Sequence, residues 1–245
     1  MSEQPGVAFA GQVALVTGAG GGIGSAIAIA LAQRGVAVGL LGRRAARLER
    51  VARRIGVESD TVVFATDLTS DAETRAAARS LLRRFRRLDI LVHSNGIHSL
   101  GPLDSARVAD FDRLWAANVR APMLLTQLLL PALRHSAGQI VFINSSVGLE
   151  ARPNVGLFAA TQHALRAIAD TLRAEINPDG VRVLSVYPGR TATSRQRKIF
   201  ESEGRAYNAD ALLQPEDLAS AVVCALALPR TAEVTDVRIR PLQKS

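Results

Sequence analysis

A glycine-rich segment near the start of the chain has the residue types and spacing needed to hold a phosphate. It reads TGAGGGIG from Thr17 to Gly24, and it follows a short apolar run and precedes a helical pattern. Glycines let backbone N–H groups approach a pyrophosphate closely, and the start of the next helix adds a partial positive charge. This context favours a dinucleotide site over a plain turn. The residues predicted to line it are Gly18, Gly20, Gly22, Ile23 and Gly24.

Two arginines follow the second apolar run, where a dinucleotide site of this kind meets the adenosine ribose. Sites that prefer NAD carry an Asp or Glu there to accept from the ribose 2′-hydroxyl. This chain has Gly42 followed by Arg43 and Arg44 instead. A guanidinium fork matches the geometry of a 2′-phosphate, so the pair predicts NADP(H) as the cofactor. The alternative, that the arginines only begin a basic helix face, leaves the missing acid unexplained.

Seven short apolar runs alternate with helical patterns along the chain, and these elements must position the two motifs. Most runs are nearly continuous in Val, Ile and Leu, which is typical of strands buried on both faces. Helical spacing occupies residues 23–34 and 45–55, among others. The alternation predicts a single-domain Rossmann fold, a doubly wound, seven-stranded parallel α/β sheet with helices on both faces. The predicted strands are Val13–Thr17, Val36–Leu41, Val62–Ala65, Ile90–His93, Gln139–Asn144, Val181–Val186 and Val234–Arg240.

The chain of 245 residues contains no spacer rich in Pro, Ser or Gly, so one domain is expected. Residues 1–10 are predicted to form a flexible tail and residues 11–245 the dinucleotide-binding domain. A substrate loop is expected at about residues 190–214.

The chain is basic, with 30 Lys+Arg against 22 Asp+Glu and a net charge of +8. The arginine runs at 43–54 and 83–87 are interleaved with apolar residues, and aromatics make up only 4%, which favours solvated helix faces over a specific nucleic-acid site. The single cysteine, Cys224, excludes an internal disulfide framework, and no metal site is predicted. No signal peptide or long apolar stretch is visible, so a cytoplasmic protein without a membrane partner is expected.

Several motifs occur in the order found in the short-chain dehydrogenase/reductase family, which the chain resembles over nearly its whole length. The glycine segment fits that family's TGxxxGxG, and YPGRTAT at Tyr187–Thr193 resembles its PGxxxT segment. The resemblance implies an oxidoreductase that takes a small-molecule substrate and assembles as a homodimer or homotetramer. It implies adenine contacts at Asp67 and Leu68, further cofactor contacts at Asn95, Gly96, Gln162, Pro188, Gly189 and Thr191, and catalytic roles for Asn118 and Ser145, with Ser146 as the fallback.

The sequence departs from the resemblance at the family's catalytic YxxxK pair. The helix after Ser145 should begin with that pair, and the matching positions hold Phe158 and Gln162. In the family a phenol supplies the proton for the developing alkoxide, and a nearby ammonium lowers its pKa. Phe158 has no exchangeable proton, while Gln162 can still donate a hydrogen bond, for instance to the nicotinamide ribose. The family's NNAG segment is altered as well, to HSNG at residues 93–96.

A replacement proton source must come from another protic side chain. His98 ranks first, because it lies in a loop that should border the substrate and loop residues have fewer packing duties. His93 ends a strand, where a structural hydrogen bond is the usual role. His163 neighbours Gln162 on a helix, and adjacent helical positions point about 100° apart. Tyr187 precedes the PGxxxT segment, and Tyr207 belongs to the predicted substrate loop.

Two functions remain open from the sequence. The first is an NADP(H)-dependent oxidoreductase that transfers a hydride on an alcohol/carbonyl pair, or a related C=N or C=C substrate, with a non-standard proton source. The second is an NADP-binding protein of the same fold, a sensor or assembly partner, with little or no catalysis. The retained serine, asparagine and PGxxxT segment favour the first. Nothing in the sequence identifies the substrate.

Overall fold

Seven parallel strands form one sheet in the order β3-β2-β1-β4-β5-β6-β7, which confirms the predicted fold. The computed structural model describes residues 9–243. Two of the predicted strands have the observed bounds, and the other five shift by one or two residues at an end, where hydrogen-bond ladders fray. The strands are β1 Val13–Thr17, β2 Ala37–Gly42, β3 Thr61–Ala65, β4 Ile90–His93, β5 Gln139–Ile143, β6 Arg182–Pro188 and β7 Asp236–Ile239.

Eight α-helices occur in the described part of the chain, and one turn of π-helix at Ala116–Arg120 joins two of them. The pattern at 45–55 predicted its helix to the residue, whereas the first helix begins one residue before, and ends two residues before, its predicted range. The helices are α1 Gly22–Ala32, α2 Ala45–Ile55, α3 Asp71–Phe85, α4 Val108–Trp115, α5 Ala121–His135, α6 Gly156–Ile176, α7 Ser194–Ser202 and α8 Pro215–Leu226.

The helices cover the sheet from both sides, so each face has its own apolar core. Leu31 of α1, Leu48 of α2 and Val222 of α8 pack on one face. Helices α3, α5 and α6 pack on the other, through residues such as Leu81 and Leu125. Because both faces are buried, the strands read as continuous apolar runs rather than as alternating ones.

The order in which the chain adds strands to the sheet reverses at β1, and this reversal determines where the site lies. The chain passes from β1 outward through β2 and β3, then returns to the other side of β1 with β4. A crevice therefore opens between the loops that follow β1 and β4, at their carboxyl ends. The glycine segment after Thr17 and the segment 94–107 after β4 form its two sides.

The domain bounds predicted from sequence need one correction at the start. Phe9, placed in the expected tail, is 1% exposed and belongs to the apolar core that contains α1 and α8. Ala10 is exposed, and residues 1–8 of the expected tail lie outside the described residues. The predicted substrate loop at 190–214 contains helix α7. No helix between residues 9 and 243 is both long and apolar enough to cross a membrane.

Candidate functional site

The glycine segment between β1 and α1 forms a turn that only glycine can make at two positions. Gly18 has φ +65°, and a Cβ there would lie 2.5 Å from the carbonyl oxygen of Ser94. A Cβ on Gly24 would lie 2.6 Å from the carbonyl oxygen of Gly18. Gly21, by contrast, faces open space at the start of α1, which has no side-chain cap. The first N–H groups of α1 are therefore open to an anion.

Thr17 and Asn95 hold the two sides of the crevice together. The Thr17 hydroxyl accepts from the backbone N–H of Ser94 at 3.0 Å and lies 2.8 Å from the Asn95 Oδ1, to which it donates. The Asn95 amide in turn donates to the carbonyl of Ala117 at 3.0 Å. The Asn95 side chain, predicted to contact the cofactor, is thus occupied in positioning the loop after β4.

Arg43 and Arg44 lie immediately beside the glycine segment, since Ala19 donates to the carbonyl of Leu41 at 3.3 Å. Both side chains are exposed and neither forms an ion pair within residues 9–243. Arg47 also lies against the glycine segment, since a Cβ built on Gly20 would be 3.2 Å from the Arg47 Cβ. Sequence reasoning missed Arg47, although its place one helical turn after Arg43 was a usable signal.

Asp67 follows β3 at the same edge of the sheet. Its carboxylate accepts from the Thr69 backbone N–H at 3.0 Å and from the Thr69 hydroxyl at 2.8 Å. These bonds, with a smaller contribution from the Arg43 charge, hold the pKa of Asp67 below its usual range. Leu68 is buried in the core, so any contact it makes with a ligand comes from its backbone.

Asn118 lies in the π-helical turn and its amide group is fully engaged. Its Oδ1 accepts from the backbone N–H of Ile97 at 2.8 Å, and its Nδ2 donates to the Ile97 carbonyl at 2.9 Å. The same Nδ2 donates to the Thr161 hydroxyl at 3.1 Å, which donates to the Phe158 carbonyl at 2.8 Å. Asn118 therefore ties the loop after β4 to the start of α6. It is a positioning residue, which the motif alone did not reveal.

Ser145 and Gln162 present polar groups with spare hydrogen-bonding capacity. The Ser145 Oγ accepts from the backbone N–H of Val147 at 3.4 Å, and its hydroxyl proton has no acceptor in the described structure. Asn144 donates to the backbone carbonyl of Gln162 at 3.0 Å, which fixes α6 against the end of β5. The Gln162 residue is only 4% exposed, and its amide group has no hydrogen-bond partner among residues 9–243. The amide atoms are not fully enclosed, so they stay accessible to water or to a ligand.

His98 packs on Phe158, with the two ring centroids 4.5 Å apart. Phe158 is 9% exposed and lies in a small apolar cluster with Leu114 and Val147. Burial lowers the pKa of His98 to about 4, and the positive charge of Arg195 lowers it further while Glu203 opposes the shift. His98 is therefore uncharged at neutral pH and can donate a hydrogen bond through one ring nitrogen.

The other protic candidates lie away from Phe158. His93 is 2% exposed, stacks on Phe142 and has its Nε2 2.8 Å from the Thr126 hydroxyl of α5, the structural hydrogen bond expected for a strand end. The His163 Nδ1 bonds the Ala159 carbonyl one turn earlier on α6, where the side chain is on the exposed side.

Tyr187 is 1% exposed, and its hydroxyl has no partner in the described structure. Burial raises its pKa, and the nearest charges are those of Asp236, Asp170 and Arg166. Those residues belong to β7 and to the second half of α6, two or more turns beyond Phe158. Tyr187 is therefore not a proton source for the crevice.

Acid should destabilise the fold through His93. Burial lowers its pKa to about 3, so below pH 6.5 the unfolded chain takes up a proton that the folded chain refuses. The free energy of unfolding should fall by about 2 kcal/mol from this residue between pH 8 and pH 5. His93→Gln keeps a hydrogen-bonding group for Thr126 but removes the titrating imidazole. In urea unfolding, the fall in the free energy of unfolding between pH 8 and pH 5 should therefore be about 2 kcal/mol smaller in this variant than in the unmodified protein. His135→Gln, at an exposed histidine, is the matched control, and equal pH dependence in all three proteins would contradict the assignment.

The PGxxxT segment approaches the crevice through Thr193 rather than Thr191. The Thr191 hydroxyl donates to the Gly189 carbonyl at 3.0 Å and the residue is buried, so only its backbone is left for a ligand. Thr193 caps α7, and its Cγ2 would lie 3.1 Å from a Cβ on Gly22. Pro188 ends β6, and the N–H of Gly189 donates to Ile239 of β7. Thr193 is the threonine of the PGxxxT motif, so the sequence contained it, but only the tertiary structure shows its contact with Gly22 of the glycine segment.

The predicted site residues fall into two neighbouring groups. The glycine segment, Arg43, Arg44 and Asp67 lie where β1, β2 and β3 end, while Ser145, Phe158, Gln162 and His98 lie where β4, β5 and the start of α6 meet. Sequence reasoning missed the supporting residues Thr17, Asn144 and Thr161, whose hydrogen bonds connect elements far apart in the chain. Arg195, also missed, donates to the Gly96 carbonyl at 2.5 Å from the other side of the crevice.

Comparisons with known proteins agree with this geometry. A family model described as short chain dehydrogenase matches residues 12–204. An uncharacterized oxidoreductase of Staphylococcus aureus is 32% identical over 232 residues, covering 94% of this chain and 97% of that protein. A metagenomic short-chain oxidoreductase in complex with NADP is 30% identical, covers 97% of this chain and 100% of its own, and superposes with a TM-score of 0.83.

A second solved structure shows the same likeness with the other nicotinamide cofactor. The 3-ketoacyl-(acyl-carrier-protein) reductase from Brucella melitensis, complexed with NADH, is 30% identical and has a TM-score of 0.83. The alignment covers 94% of this chain and 97% of that one. The fold, the crevice at the sheet's change of direction and these matches together show that the chain is an oxidoreductase of the short-chain dehydrogenase family.

Proposed function

We propose that the protein transfers a hydride between NADP(H) and an alcohol/carbonyl pair or a related C=N or C=C substrate. The observation that carries the cofactor assignment is the open N-terminus of α1 flanked by three exposed, unpaired arginines, Arg43, Arg44 and Arg47. NADP carries one more phosphate than NAD, and guanidinium groups bind phosphate bidentately. One solved relative is complexed with NADP and another with NADH, so the relatives do not distinguish the two cofactors. The arginines are the feature of this chain that favours NADP(H).

The residues present fit a nicotinamide dinucleotide. Glycines leave room for a pyrophosphate at α1, and the Gln162 amide, which has no hydrogen-bond partner among residues 9–243, is suited to donate to a ribose hydroxyl. The bound nicotinamide would supply or accept the hydride. Asp67 and the backbone of Leu68, Gly96 and Gly189 are the proposed contacts along the rest of the molecule.

We place Phe158 and Gln162 at the positions of the family's tyrosine and lysine. Ser145 then takes the substrate's carbonyl oxygen, because its hydroxyl proton is free to donate. His98 packs on Phe158, and its ring N–H is the proposed second donor to that oxygen. With its pKa near 4, about 0.1% of His98 carries the extra proton at pH 7, so it polarises the carbonyl mainly as a neutral donor. Slow turnover with an ordinary carbonyl substrate is the expected consequence.

Thermal unfolding with each cofactor tests the proposal. At a concentration of 100 Kd, NADPH should raise the free energy of unfolding by about 2.7 kcal/mol, while NADH at the same concentration should add less than about 1 kcal/mol. In the NADPH-saturated protein, Ser145→Ala should remove carbonyl reduction while leaving the thermal shift unchanged. No shift with either cofactor would contradict the nucleotide site, and a larger shift with NADH would contradict the role of the arginines.

The non-catalytic alternative has less support. The similar proteins with a stated activity are oxidoreductases and reductases, and Ser145 keeps a free hydroxyl. A protein that binds NADPH tightly and reduces no carbonyl, imine or enone at high enzyme concentration would favour it.

Assembly as a homodimer or homotetramer stays a proposal that rests on the family. Exposed apolar side chains on α4 and α5, among them Val108, Trp115 and Met123, support it, since such residues are common in contacts between copies. A cytoplasmic location likewise remains a prediction.

A further inference from the structure

The segment that covers the crevice from the side of β6 is rich in positive charge. This lid segment, residues 190–207, contains α7 and carries five basic residues against two acidic ones. The basic residues are Arg190, Arg195, Arg197, Lys198 and Arg205, and the acidic ones are Glu201 and Glu203. A surplus of cations over a substrate crevice raises the local concentration of anionic ligands.

Most arginines of the lid segment already have a partner within it. The Arg190 Nη2 donates to both carboxylate oxygens of Glu203, at 2.9 and 2.8 Å, and its guanidinium lies 4.7 Å from the Phe200 ring centroid. Arg205 also contacts Glu203 and Phe200. The Arg197 guanidinium lies 4.6 Å from the ring centroid of Tyr207. These side chains hold the lid segment together.

Arg195 differs from them, because it leaves the lid segment and crosses the crevice. Its Nη2 donates to the Gly96 carbonyl at 2.5 Å, and its charge acts on His98. It forms no ion pair between residues 9 and 243, and its Nη1 and Nε make no hydrogen bond there. Glu203, the one acid whose charge also acts on His98, is already bonded to Arg190. The Arg195 fork is thus held at Gly96, near His98, without a counter-ion among residues 9–243.

We propose that Arg195 binds a carboxylate or phosphate of the substrate, so that the enzyme acts on anionic carbonyl compounds and the corresponding alcohols. The inference rests on the proposed function, since it names the substrate class of that site. Hydrogen bonds between a guanidinium and an oxyanion are among the strongest in proteins, and a planar fork also orients the anion. A cavity of about 290 Å³ lies between the segment after β4 and the residues before Phe158, and its lining includes Ser99, Leu100, Arg107, Asp110 and Leu157.

The cofactor's own pyrophosphate is the other anion within reach of the lid segment. Thr193, two residues before Arg195, lies against Gly22 of the glycine segment. Gly96 is itself a proposed cofactor contact, so its bond to Arg195 does not separate the two anions. His98, two residues further on, packs on Phe158, which favours the substrate side, and the experiment separates the two anions.

Binding to the NADP⁺-saturated protein tests the proposal without turnover, because the oxidised cofactor cannot reduce a ketone. The probes are two matched pairs, acetoacetate with methyl acetoacetate and dihydroxyacetone phosphate with dihydroxyacetone. We expect the charged member of at least one pair to bind at least about tenfold tighter. Arg195→Gln should remove that advantage, weakening the charged probe by about 10- to 100-fold and leaving the neutral one unchanged. Arg197→Gln makes the same charge change on the same helix and should leave both affinities unchanged.

Each other outcome overturns the proposal in a recognisable way. Equal affinity for charged and neutral probes, or no binding of any probe, would exclude an anion site at Arg195. A loss of charged-probe affinity of equal size in Arg197→Gln would show general electrostatics instead. If Arg195→Gln bound NADP⁺ more weakly than the unmodified protein, the Arg195 guanidinium would be a ligand of the cofactor's pyrophosphate instead of the substrate's anion. Failure of the unmodified protein to bind NADP⁺ would contradict the proposed function itself, and this is measured first.

Discussion

Carbonyl reduction should rise by about 10²- to 10⁴-fold when Phe158→Tyr and Gln162→Lys are combined in one variant, the range that general acid–base catalysis contributes. The tyrosine would bring a phenol to a position beside His98 and the start of α6, where Phe158 has no exchangeable proton. The lysine charge would lower the pKa of that phenol. Steady-state rates with NADPH and a panel of ketones measure the effect.

The single variants separate the two contributions. Phe158→Tyr alone should gain less than the double variant, because a phenol without a neighbouring ammonium keeps a pKa near 10. Gln162→Lys alone should gain nothing and lose stability, since it places a charge where the native residue is only 4% exposed. Unchanged NADPH affinity confirms an intact crevice in each protein. A folded double variant with no gain in rate would mean that Phe158 does not occupy the proton-donor position.

NADPH affinity should fall by at least about a hundredfold in a variant that combines Arg43→Ala and Arg44→Ala, while NADH affinity stays the same. Each charge-assisted hydrogen bond contributes about 1.5–3 kcal/mol, and solvent exposure of both arginines favours the lower end. Two such bonds at that lower end give about 3 kcal/mol, a little over a hundredfold. Titration of the intrinsic NADPH and NADH fluorescence measures both affinities.

Arg53→Ala combined with Arg54→Ala is the matched control. These arginines lie in the last turn of α2, the helix that begins directly after Arg44, and the double change removes the same charge at the other end of that helix. If it weakened NADPH as strongly, the effect would come from the overall positive field rather than from a phosphate contact. Parallel losses for NADPH and NADH in the Arg43/Arg44 variant would also contradict the assignment of the 2′-phosphate.

Local pattern was sufficient for the sheet and for the position of the glycine segment and the arginine pair within the fold. Strands buried on both faces must be continuously apolar, and a crossover between parallel strands is right-handed, so few topologies remained. The glycine segment and Arg43 and Arg44 were also readable, because each follows directly from a strand end. In the glycine segment the reason is steric, as the Gly18 conformation and its contact with Ser94 leave no room for a side chain.

The sequence pattern did not predict roles that depend on hydrogen-bond or packing partners far away in the chain. The sequence predicted a cofactor contact for Asn95 and a catalytic role for Asn118, and both stay predictions. The hydrogen bonds by which their amides join the loop after β4 to the π-helical turn and to α6 were not predictable. Phe9 was predicted to belong to a flexible tail, but it is part of the apolar core. The core that contains it includes residues of α1 and α8, which begin more than ten residues later in the chain.

The order of residues by itself determined the α/β fold and the likeness to the short-chain dehydrogenase family, which the sheet order and the family match confirm. The arginine pair at the ribose end and Phe158 at the family's tyrosine position were also drawn from it, and they stay predictions. Those conclusions need only neighbours in sequence. Tertiary structure decided that His98 packs on Phe158 where burial lowers its pKa, that the Gln162 amide has no protein partner among residues 9–243, and that Arg195 crosses the crevice to Gly96. Residues 96 and 195 are 99 positions apart, and only the packing of β4, β6 and α7 around one crevice brings them within hydrogen-bonding distance.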